Sequence, residues 1–247
     1  DPYSRLNILL SVHPEYEFDA TAGKVNQSWV IEPEELFAES EHVPGVTLRA
    51  GKFKAAFGKH NLLHTHVFPF TDAPLVNTAL LGNEGLNDVG ISAAALLPIP
   101  WFSEITLQYL RGEGENEEFK SPSSSDGVAV GHFKNLWDFS EAATLEAGLS
   151  YAQGANHLRK ETTLAGADLT YKWKPSSLGK YHSVIVAGEY IQRQTEQPTV
   201  PAEQGSGWNV WGQYQLSERL FGQLRYDHLE VSHADKGVNA NALDNIT

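Results

Sequence analysis

The sequence predicts an all-β chain, a transmembrane antiparallel up-and-down β-barrel that we expect to be incomplete within these 247 residues. Three observations predict this fold. Apolar and polar residues alternate along segments of about ten residues, turn residues separate the segments, and no segment has the roughly 18 uninterrupted apolar residues of a spanning helix. The length fits a single domain, residues 1–247, and does not require two.

The clearest predicted strands lie in the second half of the chain, at residues 143–151, 165–173, 183–193, 208–216 and 220–227. In the first of these, every second residue from Ala143 to Tyr151 is apolar or aromatic, and the residues between them are small or polar. Such alternation predicts strands with one apolar and one polar face. In a barrel, lipid would contact the face that carries Leu145, Leu169, Val186 and Leu224.

The connections and the aromatic residues favour the same fold. Short connections at 175–180 and 217–218 alternate with longer ones at 156–161, 194–207 and 113–126, as periplasmic turns alternate with external loops in outer-membrane barrels. Aromatic residues gather near strand ends, where rings would reach the headgroup layer. They are Trp101, Phe102, Trp137, Phe139, Tyr151, Tyr171, Trp173, Tyr181, Tyr190, Trp208 and Tyr214. The general preference of aromatic residues for strands is the alternative explanation.

The first half of the chain is less regular. Strands are predicted at residues 5–12, 29–39, 46–57, 89–97, 105–111 and 128–139, which gives eleven in all. Bacterial single-chain barrels normally have an even number, and residues 242–247 have the composition of a loop, so we expect strands to be missing from one or both ends. Residues 113–126 are rich in acids and serine, which predicts an exposed loop without a core.

The composition excludes several classes of function. Cysteine is absent, so disulfides, thiolate metal sites and a cysteine nucleophile are excluded. The net charge of -13 argues against a nucleic-acid binder, because phosphate contacts need a basic face. No serine lies in a Gly-x-Ser-x-Gly turn, and we do not expect an enzyme. The chain begins at Asp1 without a basic and apolar leader, so we expect any secretory signal to have been removed.

A long segment, residues 58–88, separates two predicted strands. A structureless connection of about thirty residues is unusual in a compact domain, so we expect the segment to have a function or to pack inside the barrel. It contains His60, His64 and His66, which can converge, and Asp72, which can add a carboxylate. These groups bind zinc and other transition metals, so one interpretation is a metal site. The other is hydrogen bonding inside the lumen, because no HExxH-type spacing is present.

The residues around this segment resemble a known family. The motifs are GKFKAAFGKHN at 51–61, HTH at 64–66, DAPLV at 72–76, LGNEGLNDVG at 81–90 and LPIP at 97–100. Over residues 45–112 the chain is similar to bacterial outer-membrane barrels related to the phosphate-selective porins, some of which are labelled zinc-regulated outer-membrane receptors. The resemblance implies a porin-like barrel in a Gram-negative outer membrane. It also implies a terminal strand ending in an aromatic residue, which is not found here, and a separate plug domain is not found either.

Charged residues on the predicted polar faces and around the long segment are candidates to line a pore. They are Arg49, Lys52, Lys54, Lys59, Glu146, Asp168, Glu189 and Arg225. The arginine at 49, the three lysines and the three histidines would make a constriction basic, and rings of one charge select ions by sign. We therefore expect a preference for anions such as phosphate, unless these lysines lie at the interface or in the periplasm.

The sequence thus predicts a porin-like channel of the bacterial outer membrane through which small solutes or ions diffuse. The expected partners are the lipid bilayer and the solutes, with no resident cofactor and no nucleic acid, and either a homo-oligomer or a further outer-membrane or periplasmic protein fits as well. The alternative is a protein that binds or takes up zinc or another transition metal through His60, His64, His66 and Asp72. A soluble β-sandwich binding module would show the same alternation and is a third interpretation.

Overall fold

The computed structural model describes residues 1–19, 23–114, 116–123, 125–178, 180–233 and 238–247. Within them the chain forms twelve strands and one short helix. The strands are β1 (Ser4–Asp19), β2 (Lys24–Val43), β3 (Val46–Lys54), β4 (Asn87–Leu96), β5 (Phe102–Leu110), β6 (Val128–Ser140), β7 (Ala143–Ala155), β8 (Glu161–Trp173), β9 (Ser183–Thr195), β10 (Glu203–Ser217), β11 (Leu220–His233) and β12 (Val238–Ile246), and the helix is α1 (Leu75–Leu81). No helix in this described part of the chain is long and apolar enough to cross a membrane.

All twelve strands belong to one antiparallel sheet, in which each strand pairs with the next one along the chain. The prediction of an all-β, up-and-down fold is therefore confirmed. The sheet is not closed into a barrel, because among the described residues β1 pairs only with β2 and β12 pairs only with β11. These two strands are the edges of the sheet.

The last strand contradicts the prediction of a loop at residues 242–247. Its sequence, VNANALDNI, is rich in Asn, Ala and Asp, which are depleted from strands, so the residues carry little strand signal of their own. Pairing with β11, from Tyr226↔Ile246 to His233↔Val238, supplies the hydrogen bonds that hold it extended. The eleven predicted strands therefore become twelve.

The first hairpin is also longer than predicted. β1 and β2 have 16 and 20 residues, whereas β3 pairs only with the part of β2 from Leu36 to Val43. The remainder of the hairpin pairs with itself alone and projects beyond the sheet. A register shift at Leu9 and Leu10 lies close to the point where this projection begins.

The two faces of the sheet have opposite polarity. On β7, Leu149 is 60% exposed while its neighbour Ser150 is 6% exposed, and the same alternation continues through β8 to β11. We call the side of the buried polar residues the covered face and the opposite side the open face. Leu169, Val186 and Leu224 are exposed on the open face and Leu145 is half-buried, so these four leucine and valine side chains do not meet in a closed interior.

The covered face is occupied by residues 55–86, which connect β3 to β4 and which we call the insert. The insert contains two single 3₁₀ turns, His60–Leu62 and Thr65–Val67, and the helix α1. It contacts β2 through His64 and β11 through Asp72, and it meets several of the strands between them. One short segment can reach strands so far apart in the order only because the sheet curves around it. Residues 58–88 were expected to have a function or to pack inside a barrel; residues 58–86 lie against the covered face of an open sheet, and Asn87 and Asp88 already belong to β4.

An apolar layer joins the insert to the covered face. Its members from the insert are Ala55, Phe57, Val76, Leu80, Leu81 and Leu86, and its members from the strands include Leu110, Val130, Leu164, Ile191 and Leu229. Ile191 is an apolar residue on the polar side of β9, and it is fully buried in this layer. The exception therefore marks where the insert packs.

The loop between β5 and β6, residues 111–127, corrects the prediction of an exposed acidic loop. Phe119 is buried in the same apolar layer, and the Asn116 side chain donates to the Leu81 carbonyl at the end of α1. Composition alone did not reveal this, because a few individual residues of the loop, among them Asn116, Glu118 and Phe119, make the contacts. Residues 115 and 124 of the predicted loop lie outside the described residues.

The unequal connections are only partly as predicted, because the connection at 174–182, predicted to be short, is longer than those at 156–160 and 196–202, predicted to be long. Residues 44–45, 97–101, 141–142, 174–182 and 218–219 join strands at one end, which we call the short-turn end, and the insert and residues 111–127 lie at the other. The predicted loop at 194–207 is reduced to residues 196–202, because β9 and β10 extend to Thr195 and from Glu203.

Candidate functional site

The site is the interface between the insert and the covered face, and its most deeply buried charged residues are Asp227 and Arg225 on β11. Arg225 is 1% exposed, and its Nε donates to Asp227 Oδ2 at 2.7 Å on the same strand. Its two terminal nitrogens donate to the Asp72 carbonyl at 2.9 Å and to Asp72 Oδ2 at 2.8 Å. The guanidinium also lies 4.9 Å from the Phe70 ring centroid. Arg225 therefore anchors the middle of the insert to the wall.

A second anchor lies where the insert begins. Lys59 Nζ is 2.6 Å from Glu146 Oε1 on β7, and the Gly58 main-chain N–H donates to Ser150 Oγ at 2.7 Å on the same strand. Ser150 Oγ is also 2.8 Å from His132 Nδ1 on β6. The hydroxyl is thus engaged on both sides, and its contacts hold the insert in place.

Gly58 is required at this anchor by its backbone and by its surroundings. Its φ of +63° is in the left-handed region that favours glycine, and a Cβ atom there would lie 1.7 Å from Glu189 Oε1. Glu189 is buried on β9, and its other oxygen accepts from the Asn77 side chain at 3.2 Å. The carboxylate of Glu189 is therefore held between the start of the insert and α1.

The helix α1 packs closely on β10 and β11. A Cβ atom at Gly207 would lie 3.1 Å from Val76 Cβ, and one at Gly205 would lie 2.9 Å from Leu80 Cδ2. The Leu75 N–H donates to Asp227 Oδ1 at 3.3 Å. These two glycines provide the room in which the apolar side of α1 approaches the wall.

The three histidines occupy different surroundings. The two ring nitrogens of His64 lie 2.9 Å from Glu34 Oε2 and 3.1 Å from Glu35 Oε2, and its ring stacks on His66 with centroids 5.8 Å apart. His60 packs on Phe68 at 4.4 Å. Burial, with smaller contributions from Arg225 and Lys54, lowers the pKa of His60 from 6.5 to about 4.

The predicted metal ligands are therefore only partly brought together. His64 and His66 are neighbours, whereas Asp72 is engaged by Arg225 and His60 contacts Phe68. In the described ranges no group of three or more His, Asp or Glu residues is arranged to hold a metal ion. Glu34 and Glu35, which neighbour His64, were missed from the sequence because they lie about thirty residues earlier, on β2.

Among the remaining pore-lining candidates, the basic residues have hydrogen-bond partners. Arg49 Nε donates to Glu39 Oε2 at 2.6 Å, and Lys52 and Lys54 donate to the main-chain carbonyls of Pro33 and Glu84. Asp168 and Glu189 are both buried and, within the described set, neither makes an ion pair. Of the basic candidates, Arg49, Lys59 and Arg225 are thus paired with carboxylates, whereas Lys52 and Lys54 are held by main-chain carbonyls.

Several residues of the interface were not found from the sequence. They are His132, Ser150, Asp227, and the pair Arg193 and Glu118, whose side chains meet between β9 and the 111–127 loop. The period-two pattern placed Ser150 and Asp227 on the polar faces, which was the available signal. Nothing local to Glu118 predicts a contact with a strand about 75 residues later.

Comparison with known proteins gives limited similarity. No protein-family model matches the chain, and no solved structure matches it. The chain is 30% identical over 218 residues to an uncharacterized protein of Aquifex aeolicus (strain VF5), and these residues are 78% of the chain. They correspond to 45% of that protein, so the chain spans less than half the length of the relative it matches. Since the relative is uncharacterized, the similarity assigns no activity to this chain.

Proposed function

We propose that the chain forms the wall and internal constriction of a porin-like channel in a bacterial outer membrane, through which small solutes or ions diffuse. The observation that carries the proposal is the reversed polarity of the sheet. Leucine, valine and aromatic side chains are exposed on the open face, whereas Ser150, Asp168, Glu189, Arg225 and Asp227 are buried beneath the insert.

Lipid is the surrounding that makes this arrangement favourable. A large continuous apolar surface is unfavourable in water and marks contact with a membrane or a partner. Transmembrane barrels place apolar side chains outward and polar side chains inward, with all main-chain groups paired between strands. The two edges, β1 and β12, would then pair with one another or with further strands.

The aromatic residues near the short turns support a membrane boundary there. Trp101, Phe102, Phe139, Tyr181 and Tyr214 are exposed, and the rings of Trp101 and Trp137 lie 6.5 Å apart. Amphipathic rings favour the headgroup layer. The short-turn end would therefore be the periplasmic side, with the insert nearer the external side.

The insert supplies the constriction. A barrel of eight strands is filled by its own side chains and one of 16 to 18 leaves an aqueous channel, so a wall of twelve strands has room for a segment in its lumen. Solutes would pass between the insert and the polar part of the covered face. No catalytic group is required for this function.

A soluble β-sandwich has less support. It would need two sheets packed face to face, whereas the twelve strands of the described chain follow one another in a single sheet. The transition-metal alternative would use His64 and His66, which are adjacent, and would require movement of Asp72 and His60 toward them.

A matched pair of leucines tests the membrane assignment. Leu169 on the open face and Leu178 in the turn between β8 and β9 are both 51% exposed. In a lipid bilayer, arginine at position 169 costs about 2–4 kcal/mol near the midplane, whereas arginine at position 178 lies outside the membrane. We expect Leu169→Arg to reduce insertion into liposomes, measured by flotation, and Leu178→Arg to have no effect.

The channel function is tested by conductance of the refolded chain in planar bilayers. Discrete conductance steps are expected. Equal behaviour of the two arginine variants together with a monodisperse protein in the absence of detergent would overturn the membrane assignment, and insertion without conductance would overturn the channel.

A further inference from the structure

We infer that the channel prefers cations, and that Asp168 and Glu189 are the residues that determine this preference. The inference rests on the proposed function, because it assigns the sign of the ions that cross the interior. It reverses the expectation of an anion preference, which assumed that the basic residues around the insert make the constriction positively charged.

Basic residues at the interface between the insert and the covered face are neutralised by carboxylates. Arg49 pairs with Glu39 at 2.6 Å, Lys59 with Glu146 at 2.6 Å, and Arg225 with Asp227 at 2.7 Å and Asp72 at 2.8 Å. Arg193 pairs with Glu118, and Lys134 lies 4.0 Å from Glu104. A cation that is already paired attracts a passing anion weakly, so these residues do not make the interior basic.

Lys52, Lys54 and Lys172 are different, because among the described residues none of them has a carboxylate within ion-pair distance, and Lys52 and Lys54 donate to main-chain carbonyls instead. Lys172 is the residue before Trp173 on β8, at the short-turn end, and its side chain is exposed. Water and salt screen an exposed charge efficiently. Lys172 therefore does not offset buried charges deeper in the interior.

Two carboxylates make no ion pair within the described residues, although the charges of Lys59 and Lys134 lie near enough to Asp168 to act on it. Asp168 on β8 and Glu189 on β9 are register partners, so two acids lie directly opposite one another on neighbouring strands. They are 7% and 6% exposed. Like charges in this position destabilise a sheet, so the pair is costly unless a positive charge lies near it.

Three oxygen atoms at this pair lack hydrogen-bond partners in the described part of the chain. They are Asp168 Oδ2, Glu189 Oε1 and Thr170 Oγ1, and all three atoms are buried, with the main-chain N–H groups of Lys59 and His60 facing the Glu189 carboxylate. Thr170 is 2% exposed and lies on the same side of β8 as Asp168. Buried polar groups without partners call for a bound water or ion. Carboxylate and hydroxyl oxygens are the ligands that hard cations prefer.

The wall supports this position. A Cβ atom at Gly148 would lie 2.2 Å from Asp168 Oδ2, so the side chain of Asp168 lies flat over a glycine on β7. Glu189 and Thr170 both line a small cavity of about 50 Å³ beside the insert, which has room for water or a single small cation. A carboxylate ring or pair in a pore favours cations by its charge.

Reversal potentials in planar bilayers test the inference. With a KCl gradient at pH 8, the wild-type channel is expected to be more permeable to K⁺ than to Cl⁻. Asp168→Asn keeps the size of the side chain and removes one charge, and we expect the permeability ratio to fall about fivefold, as for loss of one unit charge at contact distance in water. Glu189→Gln is expected to lower the ratio in the same direction.

The matched control is Glu141→Gln, which removes one negative charge from an exposed turn between β6 and β7. Its permeability ratio should equal that of the wild type. A wild-type preference for Cl⁻, or a ratio that does not change in Asp168→Asn, would overturn the inference while leaving the channel in place. Absence of any conductance would instead overturn the proposed function.

Discussion

Replacement of Arg225 by methionine tests whether buried charge holds the insert in place. Methionine keeps much of the length of the side chain and removes the charge. Asp227, which is 0% exposed, would lose its ion pair, and the contacts to Asp72 would be lost as well. Removing one partner of a buried ion pair costs about 3–5 kcal/mol, because the other charge remains buried. Asp72 is half-exposed and adds little to this sum.

The assay is unfolding by urea in detergent micelles, followed by tryptophan fluorescence. Trp211 on β10 contacts Phe70 of the insert with ring centroids 6.0 Å apart, so the signal includes the interface. We expect Arg225→Met to lower the free energy of unfolding by about 3–5 kcal/mol. The double variant Arg225→Met with Asp227→Asn should recover about 1–3 kcal/mol, since no buried charge is left unpaired.

Arg111→Met is the matched control. Arg111 pairs with Glu113 at 2.6 Å, and both side chains are exposed, so its removal should change the free energy of unfolding by about 1 kcal/mol or less. The reasoning attributes most of the destabilisation to the buried, unpaired carboxylate of Asp227. It would be refuted if Arg225→Met lowered the free energy of unfolding as little as the control does, or if the double variant were as unstable as the single one.

Three further predictions concern the insert. Gly58→Ala should lower the free energy of unfolding by about 1–2 kcal/mol or more, because the backbone at Gly58 is left-handed. Its control is Gly222→Ala, which should leave the free energy of unfolding unchanged in the same urea assay, because an added Cβ atom there has no neighbour within 4 Å. Because the pKa of His60 is lowered from 6.5 to about 4, the unfolded chain takes up a proton before the folded chain does. The contribution of His60 to the free energy of unfolding should therefore fall by up to about 3 kcal/mol between pH 6.5 and 4. It is measured as the difference between the pH profiles of the wild type and His60→Gln, and identical profiles would contradict this. Zinc titration by calorimetry should show equally weak binding in the wild type and in the variant with His64→Ala and His66→Ala, because carboxylates already contact both nitrogens of His64; tight binding lost in the variant would favour the metal alternative.

The strands of the second half could be predicted because their pattern depends on neighbours in the sequence. Leu149 and Ser150 differ in exposure simply because successive side chains point to opposite faces of a strand. The position of Ile191, an apolar residue on the polar side of β9, could also have been interpreted from this alternation. A lone apolar residue on a polar face indicates a place where something apolar packs, which here is the insert.

The contacts of the insert could not be predicted because they join residues far apart in the chain. Asp72 and Arg225 are separated by 153 positions, and His64 meets Glu34 across 30. The metal hypothesis grouped histidines by their spacing, whereas the curvature of the sheet decides which carboxylates reach them. Likewise β12 depends on the exposed edge of β11 more than on its own composition.

The most direct test of the account compares two neighbouring positions on β11. Gln223 and Leu224 are both exposed, but successive residues of a strand face opposite sides, so Leu224 lies on the open face and Gln223 on the covered one. The chain has no cysteine, so a single cysteine introduced at either position carries the only spin label. In liposomes, the label at 224 should collide mainly with oxygen, which concentrates in lipid, and the label at 223 mainly with a water-soluble nickel complex. Strong collision of both labels with the nickel complex would contradict a lipid-facing open face.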